Sequence, residues 1–336
     1  MAGKTVRIGF VGTGGIAGAH LRRLAEIPEA EIAALCDIDE ARVKQAAAPF
    51  GAAVYTDAKK MIGEAKLDAL YVCVPPFAHG DVEILAADKG IHLFVEKPVN
   101  LYLDQAKKAW QHIKKAGILT QVGYTLRYLP GPMRLKAFLT GKEVGAAHIF
   151  RWGGLPGTPW WRVYDKSGGQ LVEMTTHQVD LLRWAMGEVE AVAASYSFKR
   201  LHRDDDSTTV PDSQAVLLRF KSGAAATVNT GCAAGKAGQG GMYFMLKDAK
   251  AVLDGDTLTV SPEGVYEVPP TPAEQPSIDA AFVRAVASNQ PKLLRSDFRD
   301  ALITAAVTLA ANRAAEEGRV IHVAELVGEE IYREGQ

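Results

Sequence analysis

The first third of the chain alternates short apolar runs with amphipathic segments. The runs are rich in β-branched residues and predict strands, while the segments between them repeat apolar residues at helical spacing. Strands that alternate with helices imply right-handed crossovers and a parallel sheet, so residues 1–123 are predicted to form a doubly wound α/β domain. The predicted strands are 6–11, 31–36, 53–55, 69–74, 91–95 and 119–122.

The pattern changes after residue 123. From residue 192 onward strands follow one another directly, which predicts an α+β domain with a large, mostly antiparallel open sheet over residues 124–336. Helices on one side leave the other face of such a sheet open, and Ala225 to Val228 make that face partly apolar. We therefore expect a homodimer or homotetramer that uses the outer face of the sheet. The predicted helices of this domain are 132–139, 176–186, 278–288 and 298–317.

Composition and charge narrow the partners of the chain. The 336 residues include 38 basic and 39 acidic ones, which gives no reason to expect nucleic acid and favours a small, neutral partner. Three cysteines are scattered singly, so neither a disulfide framework nor a zinc site is predicted, and a reducing compartment is expected. No apolar run approaches ~20 residues and the first residues lead at once into a strand, so we expect a cytoplasmic protein that does not enter a membrane.

A glycine-rich turn follows the first predicted strand and opens the first helix. The first glycine permits a tight turn, Gly14 lets the backbone approach a pyrophosphate, and the small Ala17 allows helix and strand to pack closely. Asp37 ends the second strand about 20 residues later, where a carboxylate accepts ribose hydroxyls and repels a 2′-phosphate. The turn predicts dinucleotide binding with NAD preferred over NADP, and a glycine turn of another α/β protein is the alternative. It reads Gly12-Thr13-Gly14-Gly15-Ile16-Ala17.

The tripeptide Glu96-Lys97-Pro98 ends the fifth predicted strand. In an open parallel sheet ligands bind beyond the carboxyl ends of the strands, so Lys97 would project toward the nicotinamide end of a cofactor. A solvated lysine in a surface loop is the alternative, because lysine is usually exposed.

A third group of polar residues lies at the start of the predicted helix 176–186. Glu173 and His177 are four residues apart and Asp180 follows three later, so a helical backbone places all three on one face. An imidazole base oriented by carboxylates is one interpretation. A metal site is another, although it lacks a second imidazole, and a buried, hydrogen-bonded histidine is the third. We predict the base and no metal site.

These motifs, in this order along the chain, resemble the Gfo/Idh/MocA family of oxidoreductases. Gly-x-Gly-x-x-Ala follows the first strand, Glu-Lys-Pro the fifth, and Gly-Gly-x-Leu precedes His177-x-x-Asp180 in the second domain. The resemblance covers nearly the whole chain and implies a Rossmann domain that binds NAD. It also implies that Lys97 contacts the reacting hydroxyl, that His177 exchanges its proton, and that Glu173 replaces the aspartate of many relatives.

The resemblance implies further binding residues. Trp161-Arg162 is similar to a pair that reaches the nicotinamide half of the cofactor, although an aromatic residue beside a surface arginine is the alternative. His79 is similar to a histidine over the cofactor, with a helix cap as the alternative. Tyr124 to Arg127 departs from the Asn-Arg-Arg of many relatives, which leaves the substrate open. The expected cofactor-binding residues are Gly12, Thr13, Gly14, Gly15, Ile16, Asp37, Pro75, His79, Glu96, Lys97, Trp161 and Arg162, and the expected substrate-binding residues are Lys97, Tyr124, Arg127, His177 and Asp180.

Together these residues predict an enzyme that moves a hydride between a sugar or polyol C–OH and nicotinamide. The cofactor carries the hydride chemistry, while the protein supplies orientation and proton management. His177 is expected to take the hydroxyl proton, Lys97 to stabilise the developing alkoxide, and Glu173 or Asp180 to hold the imidazole. Two other functions stay open, namely an NAD-requiring hydrolase or lyase that oxidises its substrate transiently, and a non-catalytic sensor of cofactor or sugar.

Overall fold

The computed structural model describes residues 4–271 and 275–333 of the chain. These residues form two compact units. The first consists of residues 4–123 together with Pro276–Ala301, and the second of residues 124–271, 275 and 302–333. Residues 1–3, 272–274 and 334–336, which fall within the predicted domains, lie outside the described residues.

The strands and helices for which bounds were predicted begin and end within two residues of them. None of the helices in 4–271 and 275–333 has the length and apolar content needed to cross a lipid bilayer. The strands are β1 (Val6–Val11), β2 (Ala30–Cys36), β3 (Ala53–Tyr55), β4 (Ala69–Val72), β5 (His92–Val95), β6 (Thr120–Val122), β7 (Val144–Trp152), β8 (Val189–Ser197), β9 (Ser213–Phe220), β10 (Ala225–Gly231), β11 (Gln239–Leu246), β12 (Ala249–Asp254), β13 (Thr257–Ser261) and β14 (Ile321–His322). The helices are α1 (Gly15–Leu24), α2 (Glu40–Ala47), α3 (Ala58–Glu64), α4 (Asp81–Asp88), α5 (Leu103–Ala116), α6 (Pro130–Leu139), α7 (Tyr164–Ser167), α8 (Thr176–Met186), α9 (Ile278–Ser288), α10 (Phe298–Glu317), α11 (Val323–Val327) and α12 (Glu329–Arg333).

The first unit contains a six-stranded sheet in the order β3-β2-β1-β4-β5-β6, with all strands parallel. This is the strand order of a doubly wound dinucleotide-binding domain, so the predicted fold is confirmed. The central strands are largely buried, as their apolar runs require. Stacked aromatic rings cross three of them, with centroids 4.7 Å apart between Phe10 and Tyr71 and 4.4 Å apart between Tyr71 and Phe94.

The second unit is built on an eight-stranded sheet in the order β13-β12-β11-β7-β10-β9-β8-β14. Neighbouring strands are antiparallel except for β7 and β10, which run parallel, so the predicted mostly antiparallel sheet is confirmed. Successive side chains alternate between the two faces. Ile149, Val228 and Phe244 are buried on the inner face, whereas Trp152 and Met245 on the outer face are exposed.

The chain returns to the first unit near its carboxyl-terminal end, which corrects the predicted second domain of 124–336. On α9, Oδ1 of Asp279 lies 2.6 Å from Nδ1 of His20 on α1. After α9, the carbonyl oxygen of Ser296 accepts a 2.8 Å hydrogen bond from the N–H of Val122 at the end of β6. Because these polar contacts are buried against the parallel sheet, Pro276–Ala301 belongs to the first unit.

Candidate active site

The glycine turn forms an open cradle at the amino end of α1. Gly12 has a φ of 87°, and a Cβ there would lie 2.3 Å from the carbonyl oxygen of Cys73, so only glycine fits. A Cβ added at Gly14 or Gly15 would meet no described atom within 4 Å. The first turn of α1 carries no acidic side chain, and Ala17 is fully buried against the sheet. An open helix amino end of this kind fits the pyrophosphate of a dinucleotide.

Asp37 lies directly after β2, beside this cradle. Its Oδ2 accepts hydrogen bonds from the N–H and the hydroxyl of Thr13, at 2.8 and 2.9 Å. Its Oδ1 accepts a 3.0 Å bond from the N–H of Asp39 and lies 3.4 Å from Nη1 of Arg42. Burial by itself raises the pKa of Asp37, but these hydrogen bonds and the charge of Arg42 outweigh burial and lower the pKa. The carboxylate is therefore ionised at neutral pH and also holds the glycine turn.

Two isoleucines beside the cradle expose apolar surface. Ile16, in the first turn of α1, is 45% exposed, and Ile38, directly after Asp37, is 96% exposed. Ile16 is among the predicted cofactor-binding residues, whereas Ile38 is not, because a lone isoleucine in a loop belongs to no motif. Its position next to Asp37, which is predicted to bind the ribose, is the signal that could have identified it.

Glu96 is buried at the end of β5 and fixes the backbone that carries Lys97. Its N–H donates to the carbonyl of Val72 at 2.9 Å, which continues the pairing with β4. Its Oε1 lies 3.1 Å from Nε2 of His20, and a Cβ at Gly123 would lie 2.3 Å from the same oxygen. Because the carboxylate is enclosed in this way, Glu96 contacts protein groups, and Lys97, directly after it, is half-buried.

His20 is the centre of a buried charged cluster in the first unit. Its ring nitrogens donate to Asp279 at 2.6 Å and to Glu96 at 3.1 Å, and Nε of Arg23 donates to Oδ2 of Asp279 at 2.5 Å. Burial lowers the pKa of His20, but the hydrogen bonds and charges of Asp279 and Glu96 outweigh it and raise the pKa to about 9. At neutral pH the cluster therefore holds two cations, protonated His20 and Arg23, against the carboxylates of Asp279 and Glu96. The sequence carried no signal for this pairing, because His20 and Asp279 are 259 residues apart.

His79 lies buried between a short turn that begins at Pro75 and the start of α4. Its Nδ1 donates to Oε1 of Glu83 at 2.5 Å, and Oε2 of Glu83 accepts a 2.7 Å bond from the N–H of Gly80. This arrangement closes the first turn of α4, so the predicted capping alternative describes part of its role. With Nδ1 as the donor, Nε2 is a buried acceptor to which no described residue bonds.

Glu173 and His177 lie on adjoining helical turns of different type. Leu171–Thr175 forms a π-helical turn that leads into α8, where the sequence predicted a regular helix, and such turns are frequent at functional sites. Glu173 is buried on this turn. The ring of His177 packs edge-on against Tyr124, with centroids 5.9 Å apart, and the hydroxyl of Tyr124 lies 3.0 Å from that of Thr176. Tyr124 therefore supports the imidazole within the second unit.

Asp180 and Arg127 form a buried ion pair. Nε and Nη2 of Arg127 donate to the two carboxylate oxygens at 2.8 and 2.7 Å, and the hydroxyl of Thr304 donates to Oδ1 at 3.1 Å. The guanidinium also lies 5.7 Å from the ring of Trp184. Both predicted substrate residues are thus bonded to each other, and because a bidentate pair of this kind is strong, it positions α8. Their contact with a substrate stays a prediction.

Trp161 and Arg162 have partners inside the second unit. The indole of Trp161 is buried in a small cluster with Cys232. Nε of Arg162 donates to the carbonyl of Pro156 at 2.7 Å, and Nη1 donates to the hydroxyl of Ser207 at 2.9 Å. These contacts fit the alternative of an aromatic residue beside a surface arginine, and contact of the pair with the cofactor stays a prediction.

The metal interpretation of Glu173, His177 and Asp180 receives no support from the geometry. Among residues 4–271 and 275–333, no cluster of three or more histidine, cysteine, aspartate or glutamate side chains is arranged to hold a metal ion. Asp180 already gives both carboxylate oxygens to Arg127.

Comparisons with known proteins bear on both units. The family described as "Oxidoreductase family, NAD-binding Rossmann fold" matches residues 6–124, and the "GFO/IDH/MocA C-terminal domain" matches residues 135–251. The chain is 30% identical to the uncharacterized oxidoreductase YrbE of Bacillus subtilis over 235 residues, 67% of each chain. It is also 30% identical to the myo-inositol 2-dehydrogenase of Thermotoga maritima over 227 residues, 67% of this chain and 68% of that one.

Among solved structures, the chain is similar to a levoglucosan dehydrogenase in complex with NADH and L-sorbose. The TM-score is 0.82 at 18% identity, covering 95% of this chain and 99% of the other, and it shows the shared fold. The doubly wound sheet with its glycine cradle and Asp37 defines an NAD-binding oxidoreductase. The chain belongs to the Gfo/Idh/MocA family, which confirms the resemblance of its motifs, and NAD is its cofactor.

Proposed function

We propose that the protein is an NAD-dependent dehydrogenase that oxidises or forms a hydroxyl-bearing carbon of a sugar or polyol. The observation that carries the proposal is the enclosed Glu96, which fixes Lys97 at the end of β5 in the same unit as the glycine cradle. A lysine at the carboxyl end of a parallel strand is placed for a ligand of a doubly wound domain. Relatives named as myo-inositol and scyllo-inositol 2-dehydrogenases support a polyol as the substrate class.

The proposed cofactor contacts come from the first unit. Gly14 and Gly15 offer backbone N–H groups to the pyrophosphate, and Asp37 accepts the ribose hydroxyls. Ile38 offers its exposed surface to the adenine ring. His79 offers Nε2 as a buried acceptor. When bound, NAD supplies the hydride acceptor or donor of the reaction.

Two side chains manage the proton of the substrate hydroxyl. His177 takes it on its imidazole, and the ammonium group of Lys97 stabilises the negative charge that develops on the oxygen. Glu173 orients the imidazole from the π-helical turn, and Tyr124 restricts the ring by edge-on packing. Asp180 acts through Arg127 by holding α8 in place.

Replacing Lys97 and His177 tests this assignment. Lys97→Met and His177→Ala should each lower turnover by about 10² to 10⁴-fold, the effect of losing a positioned acid–base group or charge-stabilising donor. The affinity for NADH should stay within about threefold of the wild type, because the cradle and Asp37 are untouched. Lys60→Met on the exposed surface of α3 and His112→Ala on α5 are the matched controls.

Steady-state kinetics with a panel of sugars and cyclitols, beside NADH titration by fluorescence, measures both quantities. Near-normal turnover in Lys97→Met would end the mechanism, and a parallel loss of cofactor affinity and stability would assign the residues a structural role. NADH should accumulate in a one-to-one ratio with oxidised product. Product without NADH would instead indicate transient oxidation, as in an NAD-requiring hydrolase or lyase.

The cellular setting and assembly are also proposals. Free, buried cysteines at positions 36, 73 and 232 support a reducing compartment such as the cytoplasm. Exposed Trp152, Leu217, Tyr243 and Met245 on the outer face of the second unit's sheet support a homodimer or homotetramer formed through that face.

A further inference from the structure

A cavity in the second unit lies where β7 ends and β11 begins. Its volume is about 390 Å³, within the range of small-molecule sites. Arg151 supplies its one charged side chain among the described lining residues, and Gln178 supplies an amide. Leu126, Met242 and Leu253 provide apolar walls. The described residues that line this cavity therefore include one cationic side chain and no carboxylate.

Strand alternation directs Arg151 to the inner face of the sheet. Ala147 and Ile149 on β7 are 5% and 0% exposed, and Arg151 continues this series by two residues, while Trp152 belongs to the exposed face. In the neighbouring β11, the residue paired with Arg151 is Gly240, which has no side chain to cover the guanidinium. The cation is therefore half-buried yet open to the cavity.

The same face connects Arg151 to the helix that carries His177. In the parallel neighbour β10, Arg151 pairs with Thr230, whose hydroxyl lies 2.6 Å from that of Thr175. Thr175 ends the π-helical turn that bears Glu173. Gln178, which lines the cavity, directly follows His177 in α8. The cavity thus adjoins the turn and helix proposed to manage the substrate proton.

The charge of Arg151 is not balanced inside the second unit. Arg127 is paired with Asp180 at 2.7 Å, and Arg183 with Glu188 at 2.8 Å. For Arg151, by contrast, the described residues supply neither an ion pair nor a side-chain hydrogen bond, and burial lowers the pKa of its guanidinium. A half-buried cation is costly without an anion, and a guanidinium matches the two oxygens of a carboxylate or phosphate.

Gln178 adds a second polar group that lacks a partner. Its Oε1 is buried, and none of the described residues donates a hydrogen bond to it. A buried acceptor of this kind costs free energy unless a ligand supplies a donor. A hydroxyl group is the donor that a sugar offers in several positions.

We propose that Arg151 binds an anionic group of the substrate, a carboxylate or a phosphate, while Gln178 accepts a hydrogen bond from a neighbouring hydroxyl. The substrate class is then an acidic sugar derivative, either a sugar acid or a sugar phosphate, instead of a neutral polyol. This inference rests on the proposed function, because it assigns the substrate of that same site. It differs from the neutral partner that the balanced net charge suggested.

Calorimetric titration of the NADH-loaded protein tests the proposal, because the loaded cofactor occupies the glycine cradle and keeps added phosphate out of it. The probes are D-glucuronate, D-glucose 6-phosphate, inorganic phosphate and neutral D-glucose. An anionic probe should bind roughly 10- to 100-fold more tightly than D-glucose, the worth of a hydrogen-bonded charge pair. Arg151→Met should remove that difference, Arg151→Lys should retain part of it, and Arg313→Met on the exposed surface of α10 should leave it unchanged.

The two sugar derivatives separate the sources of the anion. Tighter binding of D-glucuronate assigns a carboxylate, and tighter binding of D-glucose 6-phosphate or inorganic phosphate assigns a phosphate. Equal affinity for charged and neutral probes, or the same preference in folded Arg151→Met, overturns the proposal. Circular dichroism and the melting temperature establish that the variants are folded.

Turnover distinguishes this proposal from the proposed function. If the wild type and Arg151→Met both oxidised acidic and neutral sugars with the same kcat/KM, the anion site would be overturned and the dehydrogenase assignment would stay in place. Anion binding that depends on Arg151, with no NADH formed from any sugar or polyol, would support the site and overturn the dehydrogenase assignment.

Discussion

At the scale of single residues, Asp37 has two tasks that one substitution separates. Its carboxylate bonds to Thr13 in the glycine turn and is also the group proposed to oppose a 2′-phosphate. Asp37→Ser should lower the preference for NAD over NADP, expressed as the ratio of kcat/KM values, by roughly 10- to 100-fold. Affinity for NAD should fall as well, since the turn loses its anchor.

Kinetics with both cofactors, measured on Asp37→Ser and on the surface variant Asp104→Ser, checks this prediction. Asp104 is exposed in the first turn of α5, so its loss should leave the cofactor ratio unchanged. A wild-type kcat/KM that favours NADP would contradict the assignment of Asp37.

The sequence predicted the position in the fold correctly for residues that lie at the ends of strands. Glu96 and Asp37 follow predicted strands, and their place in a parallel sheet could be deduced from topology alone. The partners of buried charges could not be deduced in this way. Arg127 and Asp180 are 53 residues apart, and nothing in a linear pattern shows that they share a bidentate bond.

At the scale of elements, apolar spacing predicted the regular helices well. It did not predict the π-helical turn before α8. The bounds of α8, α9 and α10 equal the predicted ones. The π-helical turn before α8 was missed because its apolar residues, such as Leu171 and Val172, also fit a regular helix. The turn follows two glycines with positive φ, Gly168 and Gly169, and their backbone conformation is not encoded in apolar spacing.

The charged cluster of His20 joins three elements of the first unit, namely α1, α9 and the end of β5. Its folded pKa of about 9 lies above the ordinary histidine value of 6.5, so the folded state holds the proton more tightly. The resulting stability is fully present below pH 6.5 and is lost as the pH rises through 9. The free energy of unfolding should therefore fall by on the order of 2–3 kcal/mol across this window.

Urea unfolding at several pH values between 6 and 9.5 measures this dependence. His20→Gln should be less stable than the wild type at pH 6, and the difference between the two should shrink toward pH 9.5. His112→Gln, whose histidine is on the exposed side of α5, should follow the wild type. Parallel curves for His20→Gln and the wild type at all pH values would rule out titration of His20 as the cause.

At the scale of the whole molecule, the order of elements along the chain predicted two domains but not their interleaving. The helix α9 is amphipathic and could have packed on either sheet. Its buried Asp279 opposite His20, together with Phe282 against the rings of Tyr71 and Phe94, identifies the first unit as its place. Long-range contacts of this kind depend on tertiary packing, which composition and apolar spacing do not predict. The first unit is therefore completed by a segment that follows the whole antiparallel sheet.

The outer face of that sheet carries the last prediction. His148, Tyr243 and Met245 lie there, with the His148 and Tyr243 rings 6.3 Å apart, and Met245 is 58% exposed. Apolar side chains grouped on one open sheet face favour self-association, so light scattering at micromolar concentration should give a multiple of 36.1 kDa. The double variant Tyr243→Glu and Met245→Glu should shift the mass toward 36.1 kDa with unchanged circular dichroism, because like charges would meet across a symmetric interface. Leu201→Glu, at an exposed leucine in the loop before β9, should keep the assembled mass. A monomeric wild type, or a double variant that stays assembled, would show that this face is not the interface.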